Sequence, residues 1–219
     1  MSLSRTQVLL ALTFVTGIVD AVSFLGLGQV FAGMQTGNVI FLGFGIAGAA
    51  GAAVAMPLIS LGSFVVGGGL ATLLARPGRS HRRGGLGPAT AIEAALLAGA
   101  ALYAAAAEIT PGDASAYLPV ALLSLAMGLR NTVVRGLGDA NLATTVLNLT
   151  ATAFTSQSPL GIASGGDLAE RAGALVAILA GAVAGALLLK TSLTLALLVA
   201  AAVTLAAGLA HLRVRAVAA

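Results

Sequence analysis

The sequence has no cysteine and no tryptophan, and charged residues amount to only 8% of its 219 residues. The absence of cysteine excludes a disulfide framework and a thiolate metal site. Soluble domains carry about a quarter charged residues, so the shortage of charge argues against a water-soluble fold. Hydrophobic residues make up 58% of the chain, and a soluble protein of this composition would aggregate. We therefore expect the lipid bilayer to be the solvent and partner of this chain.

Six apolar stretches have about the 20 residues that a spanning helix needs. They cover residues 8–27, 58–75, 89–107, 117–134, 172–189 and 193–210. Two weaker stretches, 37–55 and 145–162, are rich in glycine, alanine, serine and threonine. Weak or interrupted segments of this kind are typical of short or re-entrant helices that line a site. If both crossed the membrane fully, the chain would have eight spans instead of six.

The distribution of arginine favours six spans. With six, one side of the membrane receives Glu108, Asp113 and Lys190, and the other receives Arg5, Arg76, Arg79, Arg82, Arg83, Arg135, Arg171, Arg213 and Arg215. With eight, the arginines divide almost evenly. Because cytoplasmic loops carry an excess of lysine and arginine, we predict that both termini are cytoplasmic. The basic residues stand in short loops between apolar segments, so nucleic acid is not an expected partner.

The first half of the sequence recurs in the second half. Residues 17–22 and 35–38 match residues 128–133 and 146–149 at an offset of 111 residues, which pairs Gly17 with Gly128 and Asp20 with Asn131. Membrane proteins built from two similar halves usually place the working site where the halves meet. We predict an all-α, polytopic membrane protein with six transmembrane helices in two inverted three-span repeats, 1–110 and 111–219. Each repeat has an additional short interrupted or re-entrant helix.

Small residues recur at matching places as well. Gly67 and Ala71 correspond to Gly181 and Gly185. In lipid, small residues allow helix backbones to approach closely. We therefore predict a structural role in helix packing for Gly17, Gly67, Ala71, Gly128, Gly181 and Gly185. A homodimer is a separate possible assembly of this chain.

A family resemblance rests on paired motifs. They are residues 17–21 (GIVDA), Phe31, residues 36–38 (TGN), residues 127–131 (MGLRN) and the pair Thr144 and Thr145. This pattern resembles the YoaK family, a bacterial membrane family of unknown function also called DUF1275. The resemblance covers nearly the whole chain and implies a multi-pass protein of the bacterial cytoplasmic (inner) membrane, usually described with six spans. It implies no activity. The family prefers glutamine in place of Arg130 and repeats a Thr-Gly pair in place of Leu147 and Asn148, so the second copy of the site is altered or inactive.

Asp20 breaks the apolar pattern of its helix. A carboxylate near the centre of a spanning helix costs roughly 2.5–3.5 kcal/mol. Asp20 can carry a proton or coupling ion or contact a substrate, or it can form an interhelical hydrogen bond or ion pair that fixes packing. Arg130 is its candidate partner, because the inverted repeat brings Asn131 close to Asp20. Alternatively, the Arg130 side chain extends to the cytoplasmic interface.

Further polar residues frame the two weak segments. We expect Thr36 to cap a helix, Gly37 to permit close approach, and Gln35 and Asn38 to offer hydrogen bonds. A helix N-terminus inside the membrane suits an anion or a carboxylate, whereas at the surface these residues form a plain cap. The second half contributes Thr144, Thr145 and Asn148. Glu93 lies one turn from the arginine-rich loop, and we expect it to bind Arg82 or Arg83 at the interface.

These patterns indicate a small secondary transporter of an unidentified solute or ion, proton-coupled through Asp20. Alternatives are an uncoupled channel, which needs a continuous polar pore, and a non-transport scaffold, for which the short loops offer little surface. No pairing of a nucleophile with a base is evident, so we expect no enzyme activity and neither metal nor cofactor. The predicted binding residues are Asp20, Gln35, Thr36, Gly37, Asn38, Arg130, Asn131, Thr144, Thr145 and Asn148.

Overall fold

The fold is all-helical in a computed structural model, which describes residues 4–74, 85–136 and 165–217. The helices, in chain order, are α1 (Arg5–Val22), α2 (Gln35–Ile46), α3 (Ala55–Leu74), α4 (Leu86–Ala106), α5 (Tyr117–Gly136), α6 (Gly165–Leu189) and α7 (Leu193–Val217). A π-helical turn, Ser23–Gly28, continues α1, and a short 3-10 turn, Ala114–Ala116, precedes α5. Ser4 begins α1 with a capping box, since its hydroxyl accepts the Gln7 amide while the Gln7 side chain accepts the Ser4 amide.

Six of the described helices are long and apolar enough to cross a membrane, as predicted: α1 with its π-helical turn, and α3 to α7. The weak segment 37–55 forms the short helix α2 and the turn that follows it. With 12 residues, α2 is about 18 Å long, too short for a hydrocarbon core about 30 Å thick. The first weak segment therefore does not cross as one helix. The second, 145–162, lies outside the described residues.

Helix ends meet in two groups. At one end, Val8 and Leu9 of α1 pack with Leu86 of α4, Val134 of α5 and Ala207 of α7. The Thr6 hydroxyl also donates to Glu170 of α6, at 3.4 Å. We call this the arginine end, because Arg5, Arg135, Arg171 and Arg213 belong to these helix ends.

The remaining helix ends form the other group, which we call the turn end. There the Gly112 amide donates to the Leu27 carbonyl at 2.8 Å, and Gly26 lies against Leu189 and Leu193. Accordingly α1, α4 and α6 begin at the arginine end, whereas α5 and α7 end there. The cluster of Ala71, Ala89 and Leu129 shows that α3 also ends there.

Glycines lie at two close helix–helix contacts, α1 with α6 and α3 with α5, which we call seams. A Cβ atom at Gly17 would collide with the carbonyl oxygen of Ile178, and one at Gly181 with that of Phe14. In the second seam, a Cβ at Gly128 would meet the carbonyl oxygen of Phe64, and one at Gly67 that of Leu125. Gly185 lies against Ile18 in the first seam, and Ala71 is buried near the arginine end of the second. The five glycines of the predicted packing set therefore lie against the backbone of a neighbouring helix.

We predict that Gly67→Ala destabilises the protein by about 1–3 kcal/mol, because the added methyl group has no space against the Leu125 carbonyl. Gly69→Ala is the matched control on the same helix, since nothing lies within 4 Å of a Cβ at that position. Thermal unfolding of the purified proteins in detergent measures both. Equal melting temperatures for the two variants would contradict the proposed seam.

A second prediction concerns orientation. The chain has no native cysteine, so single cysteines report accessibility without background. Ser80→Cys, between α3 and α4, should react with a membrane-impermeant maleimide only after permeabilisation, because arginine-rich loops remain in the cytoplasm. Thr191→Cys, exposed at the turn end, should react in intact cells. The reverse pattern would refute cytoplasmic termini.

Candidate functional site

The chain turns back into the bundle after α1. Gly28 has a φ of 145° and Gln29 a φ of 58°, a left-handed region that favours glycine. After this reversal, Gly33 lies beside Asp20 and Thr16 of α1. Asp20 precedes Gly28 by eight residues, so the segment 29–34 returns about 12 Å toward the arginine end. We call residues 29–34 the re-entrant loop.

Side chains satisfy three consecutive amides of the re-entrant loop. The Phe31 amide donates to Asn38 Oδ1 at 2.9 Å, the Ala32 amide to Ser23 Oγ at 3.2 Å, and the Gly33 amide to Asp20 Oδ1 at 2.7 Å. The bilayer core has no water to hydrogen-bond such groups, and each one left unsatisfied costs several kcal/mol. Asp20 therefore has a structural role, because it accepts the Gly33 amide of the re-entrant loop.

Asn38 holds the loop from the other side. Its Nδ2 donates to the Phe31 carbonyl at 2.6 Å, to Gln35 Oε1 at 2.8 Å and to Ser60 Oγ at 2.9 Å. Ser60 in turn lies 2.8 Å from the Ser124 hydroxyl of α5. This chain of hydrogen bonds links α2 and α3 of the first half of the sequence to α5 of the second half.

The start of α2 differs from the sequence prediction. Met34, with no side-chain hydrogen bond, occupies the N-cap position, so the predicted capping role of Thr36 is wrong. The Thr36 side chain is exposed in the first turn of the helix. Gly37 does permit a close approach, because a Cβ there would lie 2.9 Å from the Phe31 ring. Gln35 donates to the Ala32 carbonyl at 2.8 Å and so also serves the loop.

A buried ion pair lies deeper in the bundle. Arg130 Nη1 donates to Glu93 Oε1 at 2.7 Å, and the two side chains are 1% and 0% exposed. Arg130 Nη2 donates to the Thr16 hydroxyl and to Met127 Sδ. The Thr204 hydroxyl of α7 lies beside the Glu93 carboxylate. We call Thr16, Asp20, Glu93, Arg130 and Thr204 the charged centre.

Asp20 connects the charged centre to the re-entrant loop. Thr16 and Asp20 are one turn apart on α1 and share a face, and both contact Gly33. Asp20 also interacts electrostatically with Arg130. Arg130 therefore lies between two carboxylates, one hydrogen-bonded to it and one near it.

The outcome for Arg130 differs from both sequence-based interpretations. The guanidinium does not extend to the interface, and its direct partner is Glu93 instead of Asp20. Glu93 thus has a buried partner that the sequence did not predict, and its expected partners Arg82 and Arg83 lie outside the described residues. Glu93 stands about 10 Å from the start of α4, which is too deep for an interfacial residue. Asn131 is buried, at 5% exposure.

Five hydroxyl residues had no place in the sequence-based site: Thr16, Ser23, Ser60, Ser124 and Thr204. Each is a hydroxyl residue within an apolar helix, where a bond to the preceding turn is the ordinary expectation. Only tertiary contacts reveal their role. Thr144, Thr145 and Asn148 lie outside the described residues. In the part of the chain that the structure describes, no three His, Asp or Glu side chains form a metal-binding group.

A cavity of about 570 Å³ lies at the turn end, outside the charged centre. Phe24, Phe41, Phe44 and Pro57 supply its apolar wall, and Gln29 lines it as well. Phe24 stacks on Phe31 of the re-entrant loop, with ring centroids 4.9 Å apart. Gln29 and Val30 of the re-entrant loop line this cavity, and Asp20 does not.

We predict that Arg130→Met lowers stability by about 3–5 kcal/mol, because removing one partner leaves a buried charge uncompensated. Adding Glu93→Gln to that variant should restore part of the loss, since the stranded carboxylate is then gone. Arg213→Met, at an exposed position of the arginine end, is the control and should change stability little. Melting temperatures in detergent test the series, and additive losses in the double variant would contradict the pairing.

Comparison with known proteins identifies the family of this chain. The family model described as "Protein of unknown function (DUF1275)" matches residues 8–210. A curated relative, the UPF0700 transmembrane protein YoaK of Bacillus subtilis (strain 168), is 31% identical over 144 residues, which cover 65% of this chain and 62% of the relative. The matched region thus spans somewhat less than two thirds of that relative. No solved structure matches. The resemblance noted in the sequence is confirmed: this multi-pass membrane protein belongs to the DUF1275 family.

Proposed function

We propose that this protein is a small secondary transporter of a solute or ion in the bacterial cytoplasmic membrane, and that the charged centre is its working site. One observation carries the proposal. Three ionisable side chains from α1, α4 and α5 meet almost fully buried inside a six-helix bundle. Ionisable groups at such depth are expensive, and they commonly mark ion and substrate pathways.

The proposal includes two inverted halves, residues 1–110 and 111–219. Helix α1 begins at the arginine end and its sequence match α5 ends there, as the contacts of Val8 and Val134 indicate. The glycine seams support the same relation. Gly17 against Ile178 has its counterpart in Gly128 against Phe64. Gly17 matches Gly128, and Phe64 matches Ile178 because they stand three residues before the matched Gly67 and Gly181. A site between inverted halves is the common arrangement in secondary transporters.

The charged centre also lies at suitable depth. Counted along α1, Thr16 is about 16 Å and Asp20 about 22 Å from the arginine end, and Glu93 is about 10 Å along α4. In a hydrocarbon core about 30 Å thick, the guanidinium of Arg130 therefore lies close to the midplane. An irregular backbone segment adjoins it, because Gly33 contacts both Thr16 and Asp20. Irregular backbone at this depth is tolerated where protein covers it or where it lines a cavity.

A non-transport scaffold is the second candidate, and one observation favours it. The re-entrant loop engages Asp20 Oδ1 and both polar side-chain atoms of Asn38, so these residues have a structural reason to be polar. A scaffold needs no movable ion, whereas a transporter does. The behaviour of Asp20 variants separates the two functions.

Reconstituted liposomes provide the test. With a pH indicator inside and a panel of amino acids, carboxylates, sugars and monovalent cations outside, we expect one class to move protons. Asp20→Asn should abolish this pH-dependent uptake but leave the protein folded, because asparagine retains an oxygen for the Gly33 amide. Asp113→Asn, exposed at the turn end, should behave as the parent. A lower melting temperature with unchanged uptake would assign Asp20 to structure alone.

A further inference from the structure

The charged centre contains one more negative group than positive groups. Its ionisable members are Asp20, Glu93 and Arg130, and no other charged side chain acts on either carboxylate among the described residues. If both acids are ionised, the centre carries a net charge of −1. An uncompensated charge in a low-dielectric interior is very costly, and protein groups neutralise instead of bearing that cost. One bound proton makes the centre neutral.

We propose that Glu93 is the residue that binds and releases this proton, and that Asp20 is the fixed anion opposite Arg130. The inference rests on the proposed function and deepens it, because it names the coupling ion and moves its carrier from Asp20 to a residue that the sequence placed at the interface. It depends on which neighbours of each carboxylate can accept a hydrogen bond.

The surroundings of Asp20 favour its anion. Oδ1 accepts the Gly33 amide at 2.7 Å, and the backbone amides of Ala32 and Met34 lie near the same carboxylate. Backbone amides are donors and have no acceptor to offer. Asp20 Oδ2 is buried and, like Glu93 Oε2, makes no hydrogen bond in the described structure. A proton on Oδ2 would find only donors among these backbone neighbours, and it would weaken the charge-assisted bond that Oδ1 accepts from Gly33.

The surroundings of Glu93 accommodate either state. Oε1 is engaged by Arg130, whereas Oε2 is buried and makes no hydrogen bond in the described structure. The nearby Thr204 hydroxyl donates to the Ala200 carbonyl at 2.9 Å, which leaves its lone pairs available as acceptors. A protonated Oε2 can therefore donate to Thr204 while Oε1, as the carbonyl oxygen, keeps its bond to Arg130.

The two states differ by one charge. With the proton on Glu93, Arg130 and Asp20 balance each other and the centre is neutral. When the Oε2–H bond breaks and the proton leaves, Glu93 and Asp20 compete for the single guanidinium of Arg130. Because Asp20 also holds Gly33, a shift of Arg130 toward Asp20 acts directly on the re-entrant loop. A transporter needs such a link between ion occupancy and a movable segment.

Infrared spectroscopy with isotope labels tests the assignment without any substitution. In purified protein in lipid, a protonated buried carboxyl group gives a carbonyl band that titrates with pH. The chain has only three glutamates, Glu93, Glu108 and Glu170. We expect the band to shift when glutamate carries carbon-13 in its carboxyl group, and to stay when aspartate does. A band that shifts with labelled aspartate, or no band at any pH, overturns the proposal.

Two sets of variants identify the glutamate and its acceptor. Glu93→Gln should abolish the labelled band, whereas Glu108→Gln, exposed near the end of α4, should retain it. Thr204→Val should move the band, because the acceptor of the Oε2 proton is lost. Thr13→Val removes a hydroxyl with a similar backbone bond, to the Leu9 carbonyl, and should leave the band in place. A band that persists in Glu93→Gln contradicts the assignment to Glu93, and a band that Thr204→Val leaves in place contradicts the role of Thr204 as acceptor.

This readout separates the two proposals. Because the band is measured without solute, it reports the proton site alone. If the Glu93 band is observed but no solute of the panel is transported, the proposed proton site stands and the proposed transport is refuted. Proton-coupled uptake with a band that belongs to aspartate would retain transport and refute the role of Glu93.

Discussion

A backbone that leaves its helix inside a bilayer must find its hydrogen-bond partners within the protein, and this constraint organises the structure. The re-entrant loop presents the amides of Phe31, Ala32 and Gly33 at a depth where lipid offers no hydrogen-bond acceptor. Asn38, Ser23 and Asp20 each accept one of them. The most conspicuous polar residues of the first half are therefore arranged around one short stretch of irregular backbone, and helices α2 and α3 are positioned by the same bonds.

The same constraint explains what the sequence could predict. Six spans follow from apolar length alone, and glycines that recur at matching places in the two halves indicate the seams, because only small residues let helix backbones touch. Asp20 and Asn38 stand out because polar groups are costly in lipid. The sequence did not predict which charged side chains pair with each other. Nothing in the local sequence distinguishes a Glu93 that binds an interfacial arginine from one that binds Arg130, since the choice depends on how α4 and α5 pack.

Hydroxyl residues escaped prediction for a related reason. Thr16, Ser60, Ser124 and Thr204 can each satisfy their hydroxyl group on their own helix, and Thr16 and Thr204 do donate to the preceding turn. Their second interaction, with Arg130 or beside Glu93, uses the lone pairs that this local bond leaves available. A sequence pattern reports the local bond, whereas the tertiary contact depends on which helix face meets the ion pair. The capping role expected of Thr36 was wrong because α2 begins at Gln35, two residues before the start at Gly37 that a Thr36 cap implies.

The Arg130–Glu93 pair is not explained by stability alone. Buried ion pairs often contribute little, and a well-packed apolar replacement is frequently neutral or stabilising. Packing in the seams is already provided by close backbone contact, for example at Gly17 and Gly128. Only 8% of the residues are charged, yet Asp20, Glu93 and Arg130 are buried together. Their contribution is therefore something other than stability. Their shared property is that the binding of one proton changes the net charge of the group. Asp20 links that change to the re-entrant loop, the irregular backbone segment beside it in the described part of the bundle.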